Sequence, residues 1–178
     1  MGIPTLISTS TASNAASVAI TSGIDSTYDE YMFVMTDVGP ATDNVVFQFQ
    51  VNVAGQSGYN ETITSTSWVT YAKEDGAYAD FGYEGAFDQA QGTAYQTLAD
   101  DIGNGADESV AGILHLFSPS NTTYVTQFYA RIPSYHNVDR ADTHYIAGYV
   151  NATGAVDEIS FKMSSGNMDG VIQMYGIA

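Results

Sequence analysis

The sequence predicts an all-β protein, built as a single-domain antiparallel β-sandwich with a jelly-roll-like arrangement. Apolar and polar residues alternate with a period of two along most of the chain, and turn residues separate about nine such segments. Helix signals are nearly absent, since the one candidate, residues 87–101, contains Gly92 and lacks an i, i+3, i+4 apolar stripe. The length of 178 residues fits one domain.

The clearest strand lies at residues 44–53, where Val or Phe occupies every second position and Gln or Asn lies between them. Residues 30–38 are apolar on both faces, which predicts a central strand. Because residues 39–43 contain turn chemistry around Pro40, we expect these two strands to form an antiparallel pair. Further strands are predicted over residues 17–21, 62–72, 110–117, 124–132, 143–151, 158–163 and 171–177.

Two stretches depart from this even spacing. Residues 1–16 are small, polar and weakly patterned, so we expect an N-terminal arm before a β-sandwich domain at 17–178. Residues 1–22 lack a basic region and are not expected to be a secretory signal. Residues 73–109 form a long insertion, with short strands expected near 79–83 and 93–99 and a loop at 100–108.

The charge balance excludes two classes of partner. Twenty acidic residues oppose four basic ones, for a net charge of −16, so neither nucleic acid nor an anionic membrane surface is an expected partner. The dispersed acids are expected to serve solubility. No apolar run reaches the roughly 18 residues of a membrane span. The absence of cysteine excludes disulfides and thiolate metal sites.

No catalytic residue is predicted, and no residue is assigned to a cofactor. The chain has no cysteine nucleophile, and residues 55–58 lack the spacing of a nucleophile elbow. Three histidines, His115, His136 and His144, are available as bases, but His115 lies inside a predicted strand, which favours a structural role. With twenty acids, some pair will meet the spacing of a glycosidase by chance.

Two groups of residues invite a metal hypothesis, yet no metal site is assigned. His136, Asp139, Asp142 and His144 crowd one turn region and suit zinc, but their spacing matches no closed motif. The loop at 100–108 offers oxygen ligands for calcium without the EF-hand spacing, so a solvated acidic loop is the expected interpretation and calcium the alternative. Its candidate ligands are Asp100, Asp101, Asn104, Asp107 and Glu108.

Aromatic residues gather in and beside the insertion. We expect most of them to pack in the core or on a sheet face. Tyrosine-rich loops also form adaptable binding surfaces, so a sugar or a second copy of the chain is an alternative occupant. The set comprises Tyr59, Tyr71, Tyr78, Phe81, Tyr83, Phe87 and Tyr95.

The most specific strings of the chain carry a family resemblance. They are SGIDSTYDEY (22–31), GPATDN (39–44), YNET (59–62), AQGT (90–93), GNGADES (103–109), ISFKMSSGNMDG (159–170) and IQMYGI (172–177). From about residue 22 to the end, the chain resembles small β-rich virion structural proteins of tailed phages, especially marine and cyanobacterial ones. None of the strings is a catalytic signature, and the resemblance transfers no functional residue.

The resemblance implies a non-enzymatic structural protein located in the virion, most simply a surface-displayed capsid decoration or head-fibre protein. Such parts assemble as symmetric homo-oligomers, with a trimer expected here, and contact the major capsid protein or tail components. The expected contact surfaces are the arm at 1–16 and then the insertion at 73–109. The alternative is a tail-associated adhesin that binds host-surface glycans, and a polysaccharide depolymerase is the enzyme hypothesis.

Overall fold

The computed structural model describes residues 2–178, in which thirteen strands form one antiparallel sheet. Strands account for 61% of the chain, no helix is present in the described part, and the sheet curls until it is nearly barrel-like. The prediction of an all-β, antiparallel fold is confirmed. Among these residues no helix is long and apolar enough to cross a membrane.

The strands follow the alternating segments of the sequence closely. Eleven-residue strands are frequent, and the shortest strands have three residues. Their bounds are β1 (Thr5–Ala15), β2 (Val18–Ile20), β3 (Glu30–Pro40), β4 (Val45–Val53), β5 (Ile63–Lys73), β6 (Ala79–Tyr83), β7 (Ala90–Gly92), β8 (Gln96–Ile102), β9 (Val110–Phe117), β10 (Thr126–His136), β11 (Arg140–Val150), β12 (Val156–Met163) and β13 (Met168–Ile177).

The strand order shows how the sheet closes on itself. The main path runs β1-β13-β3-β9-β10-β8-β4-β12-β2. A branch leaves β10 through β11 to β5, whose far edge pairs with both β6 and β7. The long insertion at 73–109 therefore contains three strands, β6, β7 and β8, and β6 matches the short strand expected at 79–83.

The core lies between two walls of the curled sheet. The Phe161 ring on β12 is central: its centroid lies 5.8 Å from that of Phe33, 6.1 Å from that of Phe47 and 6.4 Å from that of Phe49. Phe49 also meets Phe128 of β10 edge to face at 5.2 Å. Strands β4 and β12 thus pack across the core from β3 and β10, and burial of these rings is the main stabilising contribution.

The predicted pairing of the strands at 30–38 and 44–53 is wrong. Strand β3 pairs with β13 and β9, whereas β4 pairs with β12 and β8. Both strands have a fully buried aromatic face, and Phe33 and Phe47 both contact Phe161. The chain therefore crosses from one wall to the other after Pro40, because two such faces bury each other better across the core than side by side.

The segment expected to form an N-terminal arm lies along the sheet. Residues 5–15 form β1, which pairs with β13 from Thr5 opposite Gly176 to Ala15 opposite Met168. Most β1 side chains are exposed or half-buried, and Ala12 is buried. The weak apolar pattern that suggested an arm reflects a strand with little core contact; residue 1 of the proposed arm lies outside the described residues.

The loop expected at 100–108 is shorter than predicted. Asp100, Asp101 and Ile102 belong to β8, and the irregular segment begins at residue 103. The reason is that Ile102 is fully buried and pairs with both Val45 and His136. The two acids are carried into the sheet with it.

Gly148 of β11 lies where neighbouring strands of the branch approach each other closely. A Cβ atom at this position would lie 2.4 Å from the carbonyl oxygen of Thr64 and 2.9 Å from Cζ of Phe128. Phe128 is also the register partner of Gly148, so its ring fills the space that a side chain would take. Backbone on one side and a core ring on the other leave no room for a methyl group.

We expect Gly148→Ala to lower the free energy of unfolding by about 2 kcal/mol, the typical cost of overpacking a core. The matched control is Gly82→Ala, because a Cβ atom there meets nothing within 4 Å. Urea denaturation of both variants and the parent measures the difference. Equal stability of Gly148→Ala and Gly82→Ala would contradict the packing described here.

Candidate functional site

Two distant segments of the chain meet at one end of the curled sheet. Strand β8 ends at Ile102, which pairs with His136, the last residue of β10. The amide of Asn137 donates a hydrogen bond to the carbonyl oxygen of Asp101 at 3.0 Å. These contacts fix the acidic end of β8 against the hairpin formed by β10 and β11.

The contact creates an acid–histidine cluster, defined here as Asp100, Asp101, His136, Asp142 and His144. Ligating atoms of Asp100, Asp142 and His144 all lie within 4.8 Å of one another. Asp142 and His144 occupy alternate positions of β11 and face the interior, where each is only 2% exposed. Nε2 of His144 lies 3.6 Å from Oδ1 of Asp100.

Arg140 compensates the buried charge of Asp142. Its Nε and Nη2 atoms donate to the two carboxylate oxygens of Asp142, each at 2.6 Å. The guanidinium also lies over the ring of Tyr71, 4.6 Å from the centroid. A bidentate pair of this kind allows a carboxylate to stay ionised away from water and holds it in one orientation.

His144 is buried without a hydrogen-bond partner on either ring nitrogen. The ring of Phe87 packs against it with centroids 5.9 Å apart. Burial lowers the pKa of His144 to about 4, and the positive charge of Arg140 acts in the same direction, whereas Asp142 opposes the shift. The imidazole is therefore neutral at pH 7 and keeps one nitrogen lone pair free.

The pKa of Asp100 shifts in the opposite direction to that of His144. Burial raises its pKa to about 7, with a further contribution from the negative charges of Asp101 and Asp142. Its side chain keeps 21% exposure, so a proton or an ion can reach it from solvent. The cluster thus contains a carboxyl group that exchanges its proton near neutral pH.

His136 and Asp101 form a second contact at the solvent side of the cluster. Nε2 of His136 lies 3.3 Å from Oδ2 of Asp101. Its Nδ1 accepts a hydrogen bond from the amide of Val138, also at 3.3 Å. A ring nitrogen that accepts carries no proton, so Nε2 is the protonated nitrogen that faces Asp101.

Of the four residues that the sequence suggested for zinc, the structure brings three together and places the fourth elsewhere. Asp142 and His144 lie together and His136 is adjacent, whereas Asp139 lies exposed in the β10–β11 turn, where its carboxylate accepts from the Tyr135 hydroxyl at 3.4 Å. Asp100 is the member that the zinc hypothesis missed. No local spacing could have placed it there, because only the pairing of β8 with β10 does so.

The five residues suggested for calcium do not form one group. Asp100 and Asp101 join the acid–histidine cluster. Asp107 and Glu108 instead line a separate open groove of about 390 Å³. Asn104 turns away from both, with its backbone amide 3.3 Å from a carboxylate oxygen of Asp43.

The outward side of the branch has a second feature, an exposed aromatic surface. Trp68 stacks on Tyr145 with centroids 4.3 Å apart, and Arg131 lies 5.8 Å from the Tyr145 ring. Phe117 stacks on Tyr129 at 5.7 Å, and His115 stacks on Tyr129 at 4.6 Å. We call this surface the outer aromatic face and define it as Trp68, Phe81, Tyr83, Phe117, Tyr129 and Tyr145.

The outer aromatic face is continuous because cross-strand partners align. Tyr83 pairs with Trp68, Trp68 with Tyr145, and Tyr145 with Arg131 across four neighbouring strands. The most exposed members are Phe81 at 73% and Tyr83 at 68%. Large contiguous apolar patches on a soluble surface commonly mark contact sites.

The aromatic set expected around the insertion divides between four environments. Phe81 and Tyr83 join the outer aromatic face, and Phe87 packs on His144. Tyr71 meets Tyr78 edge to face beside Arg140. On the opposite wall, the Tyr59 hydroxyl donates to Glu158 at 2.8 Å and Lys162 lies over the ring of Tyr95.

Comparisons with protein-family models, with curated proteins and with solved structures give no match to this chain. The resemblance to tailed-phage virion proteins therefore stays a prediction.

Asp100 and His144 contribute opposite pH dependences to stability. The raised pKa of Asp100 gives stability that is complete below 3.8 and is lost as the pH rises through about 7. The lowered pKa of His144 gives stability that is complete above 6.5 and is lost as the pH falls through about 4. Between pH 4 and 6.5 the two slopes oppose each other.

We expect Asp100→Asn to remove one of these slopes, so that its unfolding free energy rises more steeply from pH 4 to 6.5 than that of the parent chain. Urea denaturation at several pH values measures the slopes. Asp139→Asn is the control, because Asp139 is exposed in the turn and should leave the slope unchanged. Parallel profiles for Asp100→Asn and the parent would contradict the burial assigned to Asp100.

Proposed function

We propose that the chain is a non-enzymatic structural protein of a tailed-phage virion, displayed on the capsid surface as a decoration or head-fibre protein. In this proposal it forms a homo-oligomer, a trimer, and contacts the major capsid protein or tail components. The family resemblance supplies the class of particle. The outer aromatic face is the observation that supports assembly.

Contact with a second copy of the chain would bury the outer aromatic face, which is more favourable than leaving it exposed to water. Covering exposed apolar area is worth roughly 25 cal/mol per Å², and aromatic residues are enriched in protein interfaces. A net charge of −16 makes two copies repel each other. Arg131, one of only four basic residues, lies beside Tyr145 on this face, which lowers the repulsion where the copies would meet.

Strand β1 provides a second contact surface in the proposal. It pairs with β13 alone among the described strands, and Ile3 and Leu6 beside and within it are 88% and 51% exposed. A strand with one unpaired edge can accept a strand from a neighbour. This edge of the sheet is the part of residues 1–16 that takes part in assembly in the proposal.

We interpret the curled sheet as the two walls of a jelly-roll-like sandwich. The contacts of Phe161 with Phe33, and of Phe49 with Phe128, join strands on opposite sides of the core, as a sandwich requires. Capsid and virion-surface proteins often use this architecture.

A tail-associated adhesin for host-surface glycans is the second candidate function. A shallow groove of about 410 Å³ runs beside the outer aromatic face, where polar side chains lie close to aromatic rings. Hydroxyl and amide groups beside rings are suited to the polar and apolar sides of a sugar. The groove is lined by Thr64, Ser65, Thr66, Gln127, Phe128, Ala147, Gly148 and Tyr149.

We expect the purified chain to be a trimer and the double variant Phe81→Ser/Tyr83→Ser to be a monomer, because the change removes the most exposed rings of the face. Light scattering coupled to size-exclusion chromatography gives the masses. Val138→Ser is the control, since Val138 is an exposed apolar residue of the β10–β11 turn outside both proposed contact surfaces, and Ile3→Ser tests the β1 surface separately. A trimer that survives the double variant and dissociates with Ile3→Ser would move the interface to β1.

We expect an antibody against this chain to label the heads of intact phage particles that encode it, because a decoration protein covers the capsid. Immunogold electron microscopy measures the distribution. Label confined to the tail would favour the adhesin, and binding of the chain to a glycan array would then be expected. Particles without any label would contradict the virion assignment.

A further inference from the structure

We propose that the acid–histidine cluster is a binding site for a divalent transition-metal ion of the zinc class, with Asp100, Asp142 and His144 as the protein ligands. This site lies apart from the outer aromatic face, so the proposal does not depend on the function proposed above. It rests on the burial of His144, on the donor set and on the geometry of the three side chains.

The state of His144 favours a bound ion. Its Nδ1 and Nε2 atoms are both buried and have no hydrogen-bond partner. A buried polar group without a partner costs about 1–3 kcal/mol, and coordination of an ion is one way in which such a group is satisfied. A neutral imidazole is the most common protein ligand of metal ions, and Nε2 points toward Asp100.

The composition of the donor set favours the zinc class of ions. Two carboxylates and one imidazole suit zinc and neighbouring divalent ions, whereas calcium prefers oxygen ligands alone. Three protein ligands leave a fourth tetrahedral position for a water molecule. This is the number found in zinc sites with an open position.

The three side chains lie close enough together to share one ion. The ligating atoms lie within 4.8 Å of one another, whereas bonds of about 2.0–2.2 Å to one tetrahedral zinc ion place ligand atoms about 3.4 Å apart, so the widest pair must close by up to about 1.4 Å. Asp100 can make this movement, because its side chain is 21% exposed while those of Asp142 and His144 are 0% and 2% exposed. The same exposure gives the ion a path from solvent.

Neighbouring side chains hold the ligands in place. Arg140 binds both oxygens of Asp142 and so fixes the orientation of that carboxylate, while the remaining lone pairs stay available to an ion. With Asp100 ionised, the two ligand carboxylates outnumber the single guanidinium, so a divalent cation is attracted despite Arg140. Asp101, held by His136, adds negative charge at the entrance.

The test is zinc titration of the purified full-length chain, after treatment with a chelator, by isothermal calorimetry. We expect one zinc ion per chain. We expect His144→Gln to weaken the affinity by about 100-fold or more, because loss of a direct ligand exceeds the 10–100-fold effects of outer neighbours. His115→Gln is the matched control, since His115 is buried but pairs with Glu30 away from the cluster. Its zinc affinity should equal that of the parent.

Two further measurements keep the proposal open to refutation. Asp100→Asn changes the most exposed ligand and should weaken zinc binding even if His144→Gln folds poorly, which circular dichroism will reveal. Cobalt in place of zinc should give the visible absorption bands of a four-coordinate site, and these should disappear in both variants. A parent chain that binds no zinc, or variants that bind it as well as the parent, would overturn the proposal.

Discussion

The attachment of β8 to the β10–β11 hairpin is the contact on which the rest of the structure depends. It consists of the pairing of Ile102 with His136 and the hydrogen bond from Asn137 to Asp101. On the main path of the sheet, β8 is the link between the wall that contains β10 and the wall that contains β4 and β12. Without this link the two walls would share no strand neighbour along that path, and the aromatic core around Phe161 would be open on one side.

The same attachment buries ionisable groups, and this burial shifts the pKa values of Asp100 and His144. Ile102 must be buried to join the walls, and Asp100 and Asp101 accompany it because they precede it in the strand. Three features compensate for the burial of these groups. Arg140 pairs with Asp142, His144 stays neutral, and the pKa of Asp100 is raised. A site that could bind a cation is thus a consequence of how the sheet closes, while the outer aromatic face lies on the opposite side of β11 and is free to serve assembly.

The sequence predicted where the strands lie better than it predicted which strands pair with each other. Alternation located most strands, and β9 at Val110–Phe117 matches its predicted bounds. The pairing of β3 and β4 was predicted wrongly, because the turn at 39–43 suggested a hairpin, whereas the buried faces of Phe33 and Phe47 lie on opposite walls.

Within the site, the proximity of Asp142 and His144 follows from their spacing on one strand, but the contribution of Asp100 depends on a long-range pairing that no local pattern encodes. The strand β1 was missed for a related reason, since an edge strand that buries only Ala12 lacks the apolar alternation by which strands are recognised.

The most direct test of this account is the titration of the His144 imidazole in the metal-free chain. Nuclear magnetic resonance of the ring nitrogens follows it, with His144→Gln used to assign the signal. Closure of β8 over the hairpin predicts a midpoint near pH 4, because burial beside Arg140 disfavours the charged ring. A midpoint near 6.5, the usual value for histidine, would mean that His144 is open to water and that β8 does not close on the hairpin as described.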